Sequence, residues 1–114
     1  SIEPKELMRK LLSLRGNICI YQGEELGLHE TSVDFDDIQD PFGRAFWPDF
    51  KGRDGCRTPM PWEKNQKNLG FTRSTPWLKV NENYKNYAVD VQENDPNSML
   101  NLTRKLIMER KIAT

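Results

Sequence analysis

A single short apolar run, Ile18-Cys19-Ile20-Tyr21, reads as a β-strand in this chain, and one strand cannot make a sheet. Its two edges carry N–H and C=O groups that need partners, and no second run of comparable strength supplies them. The run shows no polar alternation, the pattern of a strand buried on both faces in a parallel sheet. The strand is expected over 17–21. A helix is expected before it, over 4–15. Pro4 suits the first helical position, Leu7, Met8, Leu11 and Leu12 form an apolar stripe, and Arg15 and Gly16 suit the C-terminal end. A second helix is expected over 95–111. Asp95 is read as its N-cap and Pro96 as its first residue, with Met99, Leu102, Thr103, Leu106, Ile107 and Arg110 at helical spacing. Helix, both-sides-buried strand and helix make one repeat of an α/β architecture.

Residues 22–94 are read as a long loop. They hold five of the seven prolines, six of the seven glycines and all three tryptophans, and little in them is periodic. A stretch of this length inside a compact domain is a functional loop held by something else. Short turns or helices are expected to interrupt it, for example around Asn81 to Tyr87. The chain therefore reads as one piece, residues 1–114, of a larger α/β protein, with the loop at the C-terminal end of its strand. Active sites of α/β barrels are built from loops in that position.

Composition narrows the chemistry. The 114 residues carry 17 Lys+Arg against 17 Asp+Glu, which leaves no basic footprint for nucleic acid. No apolar run approaches the roughly 20 residues that cross a bilayer, so no membrane partner is expected. The chain shows neither the basic nor the apolar region of a signal peptide, and a cytoplasmic location is the expectation. Cys19 and Cys56 form no CxxC and are expected as free thiols. With His29 the single histidine, a zinc site would need an unusual ligand set. The acidic stretch Asp34 to Asp40 places Ile38 and Gln39 where a calcium loop needs Asp/Asn and Gly, and it reads as a solvated loop. No metal and no cofactor are expected.

Two motifs carry chemistry. In Tyr21-Gln22-Gly23-Glu24-Glu25-Leu26-Gly27 the glycines permit a tight turn, and the two glutamates offer acid/base groups. Adjacent carboxylates diverge along an extended chain, so they cannot flank one scissile bond. Gln22 and Glu25 are read as ties between loop backbone and the strand's end. The second motif is Gly52-Arg53-Asp54-Gly55-Cys56-Arg57-Thr58-Pro59-Met60-Pro61-Trp62. Its prolines stiffen the backbone, and the planar donor fork of arginine suits a carboxylate or the vicinal hydroxyls of a sugar. The chemistry alone leaves two readings open, an internal Arg–Asp pair bracing the loop or a ligand contact.

These motifs, followed by Pro76-Trp77-Leu78 and Asp95-Pro96-Asn97-Ser98-Met99-Leu100-Asn101, occur in an order that closely resembles the α-glucosidase and oligo-1,6-glucosidase branch of the α-amylase superfamily, glycoside hydrolase family 13. The resemblance covers essentially the whole chain and implies a piece of a (β/α)8 TIM barrel. Residues 4–15 would be its seventh helix, 17–21 its eighth strand, 22–94 the loop over the active-site mouth and 95–111 its eighth helix. It also implies a retaining exo-α-glucosidase acting on terminal α-linked glucose of oligosaccharides, or a related transglycosylase such as a trehalose or trehalulose synthase. Arg53 matches the arginine that contacts the nonreducing-end glucose, and Asp54 and Arg57 match positions that brace the loop. The family's catalytic carboxylates lie in segments preceding the seventh helix, so this chain is expected to hold no catalytic residue and to be inactive alone. The rival reading is a noncatalytic interaction module. In either case an unpaired strand implies a strand-paired or domain-swapped homo-oligomer.

Overall fold

The computed structural model describes residues 3–113, and among these the regular elements are all helical. Helix α1 spans Pro4–Ser13, α2 Pro41–Phe46, α3 Val89–Glu93 and α4 Met99–Ala113. Between α1 and α3 the chain is punctuated by short 3₁₀ stretches at Glu24–Leu26, Phe35–Asp37, Asp54–Cys56, Lys67–Gly70 and Glu82–Tyr87. The expected loop is thus a string of short helical stretches joined by tight bends, and the interruption expected around Asn81 to Tyr87 is the 3₁₀ stretch Glu82–Tyr87.

α1 begins with Pro4 in its first turn and buries Met8 and Leu12. It stops at Ser13, two residues before the end that the sequence suggests. The reason lies in α4, where the Arg110 guanidinium donates to the carbonyls of Leu12 (2.8 Å), Leu14 (2.6 Å) and Gly16. A helix end leaves such carbonyls without partners, and a cation there also suits the helix dipole. α4 begins at Met99 instead of Asp95. Ser98 Oγ accepts the Asn101 N–H at 3.2 Å and donates to the Gln92 carbonyl at 2.8 Å, so Ser98 is the residue that opens the helix. Asp95 instead closes a local turn by accepting the Asn97 N–H at 2.9 Å.

The expected strand over 17–21 does not form. Ile18 and Ile20 are half-buried against the cluster of Met8, Leu12 and Met99, while Cys19 and Tyr21 are exposed. The alternation is that of a segment covered on one side, not on both. No backbone N–H of residues 18–21 finds an acceptor among the described residues, because a ladder needs a second strand.

A second cluster, Leu26, Met60 and Leu100, joins the turn after the 17–21 segment to the middle of the loop and to α4. Beside this second cluster sits Gln92, buried in α3. Its amide nitrogen donates to the carbonyls of Leu26 and Tyr87, each at 2.9 Å, and its amide oxygen accepts the Leu100 N–H at 2.9 Å. The Cα radius of gyration is 15.9 Å. A compact domain of this length would have about 13 Å. The chain is drawn out over its loop.

Candidate functional site

The segment 52–62 is held by two aspartates that each receive backbone donors from the other's neighbourhood. Asp54 is buried, 2% exposed, and its Oδ2 accepts the N–H groups of Gln39 and Asp40 (3.0 Å to the latter). Asp40 in return accepts the Arg53 N–H at 2.9 Å and caps α2 by accepting the Phe42 N–H at 3.0 Å. The Arg53 N–H, followed by that of Phe42, holds the Asp40 carboxyl below the ordinary aspartate range. Two glycines make the close approach possible. Gly52 has φ +80°, and a Cβ there would stand 2.8 Å from Asp40 Oδ2. A Cβ on Gly55 would stand 2.4 Å from the Thr31 carbonyl, whose residue in turn donates its N–H to the Gly55 carbonyl at 2.8 Å. Downstream, Pro59 and Pro61 are fully buried, and the carbonyls of Pro61 and Trp62 accept N–H groups from the start of α3.

Arg53 projects from this frame. It is exposed, its backbone is fixed by Asp40, and its guanidinium makes no hydrogen bond or ion pair among the described residues. The internal Arg–Asp pair, one of the two readings open from sequence, does not form, since Asp54 spends its carboxylate on backbone donors.

Arg57 points elsewhere. Its Nε donates to the Tyr21 hydroxyl at 2.9 Å, a bond that raises the guanidinium above its already high ordinary range. The pair forms one wall of an open groove of about 500 Å³, with Gln22, Phe71 and Trp77 also lining it. Phe71 reaches this groove because Asn68 and Leu69 both take left-handed backbone conformations, φ 53° and 50°, and turn the chain back on itself. The Leu69 carbonyl accepts N–H groups of Trp62 and Glu63 at 2.8 and 2.9 Å, which ties that reversal to the end of the motif. The groove wall meets the Arg53 backbone where the Cys56 thiol donates to the Arg53 carbonyl at 3.1 Å.

Glu25 accepts the Gly23 N–H at 3.0 Å and so closes its own turn, with Gly23 at φ +96°. Gln22 is exposed and its side chain makes no hydrogen bond among the described residues, so it is not the backbone tie that the sequence suggests. Behind the groove, the Asn81 amide donates to Thr31 Oγ1 (3.1 Å), Thr31 Oγ1 to the buried Tyr84 hydroxyl (2.7 Å), and that hydroxyl to the His29 carbonyl. No group of three His, Cys, Asp or Glu among the described residues is placed to hold a metal ion. No described helix is long and apolar enough to cross a membrane.

Comparison with known proteins gives this geometry its context. The family model described as the alpha amylase catalytic domain matches residues 2–114. The chain belongs to the alpha-amylase catalytic-domain family. Within the family it is 54% identical over 107 residues to a probable alpha-glucosidase of Rhizobium meliloti (strain 1021), covering 94% of this chain and 19% of that protein. It is 38% identical over 125 residues to probable oligo-1,6-glucosidase 2 of Bacillus subtilis (strain 168), covering 94% of this chain and 22% of that protein. Its structure is similar to that of the alpha-glucosyl transfer enzyme XgtA, with TM-score 0.87 and 48% identity, covering 96% of this chain and 20% of that one. The chain spans about a fifth of the length of these alpha-amylase-family relatives.

Sequence reasoning misses three features of this family member's site. Asp40 reads as part of a solvated acidic loop, although Asp40-Pro41 is a readable helix-start signature and Asp40 is what fixes the Arg53 backbone. Tyr21 reads only as the end of an apolar run. Phe71 and Trp77 lie 50 and 56 positions beyond Tyr21, and no local pattern announces that they share a groove with it.

Proposed function

We propose that this chain is the part of an exo-acting α-glucosidase that runs from the seventh to the eighth helix of a (β/α)8 barrel, with residues 22–94 arching over the active-site mouth. Arg53 binds the terminal glucosyl unit of an α-linked oligosaccharide. The carrying observation is its setting, a guanidinium left without a protein partner on a backbone that Asp40, Asp54, Gly52 and Gly55 immobilise. Such a fork donates two parallel N–H groups, which match a pair of adjacent sugar hydroxyls. Asp54 and Glu25 hold loop backbone and do not touch substrate.

Retaining glycoside hydrolysis needs two carboxyl groups about 5–5.5 Å apart across the scissile bond. By resemblance these come from barrel segments before α1, so the chain on its own binds weakly and turns nothing over. The test is release of p-nitrophenol from p-nitrophenyl α-glucoside. The 114-residue chain should match buffer, and the protein containing all barrel segments should hydrolyse the substrate. Turnover by the isolated chain would overturn the assignment.

Similarity to an alpha-glucosyl transfer enzyme favours one second reading, transfer of the glucosyl unit to a sugar acceptor in place of water. Chromatography of the products separates the two: free glucose in stoichiometric yield for hydrolysis, new disaccharide for transfer.

A further inference from the structure

We infer that the short helix α2 is a positioning element for Arg53, and that Gly43 and Asp40 are the positioning residues through which it acts. The inference rests on the role proposed above for the Arg53 guanidinium and adds to it what sets the place of the Arg53 backbone. Glycine in a helix interior is unfavourable, because its backbone freedom is lost with no side chain to pack. Gly43 nevertheless sits inside α2, and it is buried. What it allows is contact between backbones. A Cβ at position 43 would overlap the Lys51 carbonyl oxygen, and it would stand 2.8 Å from that carbonyl carbon and 3.1 Å from Gly52 Cα. Relaxed carbon contacts need about 3.5–4.0 Å, so α2 lies directly against the two residues that lead into Arg53.

Both ends of α2 are tied to the same stretch. At its start, Asp40 divides one carboxylate between helix and motif, accepting the Phe42 N–H on Oδ1 at 3.0 Å and the Arg53 N–H on Oδ2 at 2.9 Å. At its end, the Phe46 carbonyl accepts the Phe50 N–H at 3.0 Å, and the Lys51 ammonium lies 5.2 Å from the centre of the Trp47 ring. Trp47 in turn meets Phe35 edge-on at 5.6 Å, and Arg44 Nε reaches from the helix to the Ile38 carbonyl at 2.7 Å. The buried Asp54 carboxylate closes the unit by accepting the N–H groups of Gln39 and Asp40. Residues 35–54 thus close on themselves around α2. The Arg53 guanidinium makes no hydrogen bond or ion pair among the described residues, so its backbone and its own rotamer alone fix where the fork stands. A shift of α2 against residues 51–53 carries the fork with it.

The test is a double-mutant cycle in the complete glucosidase that carries this chain, with p-nitrophenyl α-glucoside as substrate. Gly43→Ala must part α2 from residues 51–52 by on the order of 1 Å, since neither backbone can yield as a flexible side chain would. It should lower kcat/KM about five- to tenfold in the wild-type background, and by no more than Arg53→Ala does. With Arg53 already alanine, Gly43→Ala should cost less than about twofold, because no fork is left to misplace. The loss should divide between KM and kcat as it does for Arg53→Ala, a split that general loosening of the enzyme would not reproduce. Asp40→Asn keeps the side chain's shape and gives up one of two acceptors. It should show the same non-additivity at about three- to fivefold, and it decides the matter if Gly43→Ala does not fold. Equal losses in the two backgrounds, or no loss in the wild-type background, overturn the positioning role and leave the proposed role of Arg53 standing. Wild-type kinetics for Arg53→Ala overturn the role of Arg53 itself, and the inference with it.

Discussion

At the scale of single residues, Asp40 holds the Arg53 backbone, and the Arg53 guanidinium has no protein partner among the described residues. On the proposed role, Arg53→Ala in the complete enzyme should cost about 1.5–3 kcal/mol in kcat/KM, because the charge-assisted hydrogen bonds of the fork are lost. Arg53→Lys should recover little, since an ammonium cannot reproduce the planar fork. Steady-state kinetics check both, and near-wild-type values for either would show that Arg53 does not hold the substrate. Asp40 also makes the stability of the loop depend on pH. Its carboxyl is held below the ordinary 3.8 by the Arg53 and Phe42 N–H groups, so the folded state prefers the charged form. Its stabilisation is therefore complete above the unfolded value and fades as pH falls through the lower folded one. Thermal midpoints of wild type and Asp40→Asn should differ by a constant amount near neutrality and converge below about pH 4. A gap that persists unchanged well below that range would show that the charge of Asp40 is immaterial to the loop.

At the scale of elements, the Gln92 amide is the joint between the turn at Leu26, the 3₁₀ stretch ending at Tyr87 and the first turn of α4. Gln92→Leu fills the space but leaves two carbonyls and one N–H unpaired in the interior, at a cost of roughly 2–4 kcal/mol. Urea unfolding followed by far-ultraviolet circular dichroism measures it, and a loss below about 1 kcal/mol would mean that water replaces the lost partners. Elements also show how far the sequence can be read. α1 is legible because Pro4 and the Leu7, Met8, Leu11, Leu12 stripe are local signals. The start of α4 is not, because Asp95-Pro96 imitates a helix start. The residue that opens the helix, Ser98, has its hydroxyl held by the Gln92 carbonyl, six positions away, and its N–H by the Asp95 carbonyl. The family is legible from the order of short motifs. The groove is not, because its defining bond joins Tyr21 to Arg57, 36 positions apart.

At the scale of the whole molecule, the chain is larger in radius than its length requires and leaves apolar surface open along α1. Leu7 is half exposed, and an open groove of about 440 Å³ runs between α1, Leu28 and Met99. One copy cannot cover both this surface and the far side of the 17–21 segment. The isolated 114-residue chain should therefore associate, with that segment or the loop exchanged between copies. Sedimentation equilibrium at micromolar concentration decides this, and a 13.4 kDa species that unfolds cooperatively would refute it. The 17–21 segment has one more consequence. Its isoleucines are anchored while its amides bond to nothing among the described residues, so packing and hydrogen bonding are uncoupled there. In heavy water, the amides of residues 18–21 of a monomer should trade protium for deuterium at nearly the rate of an open chain, although Ile18 and Ile20 stay docked. Whatever chain segment later lies alongside will announce itself as a run of amides that suddenly become slow.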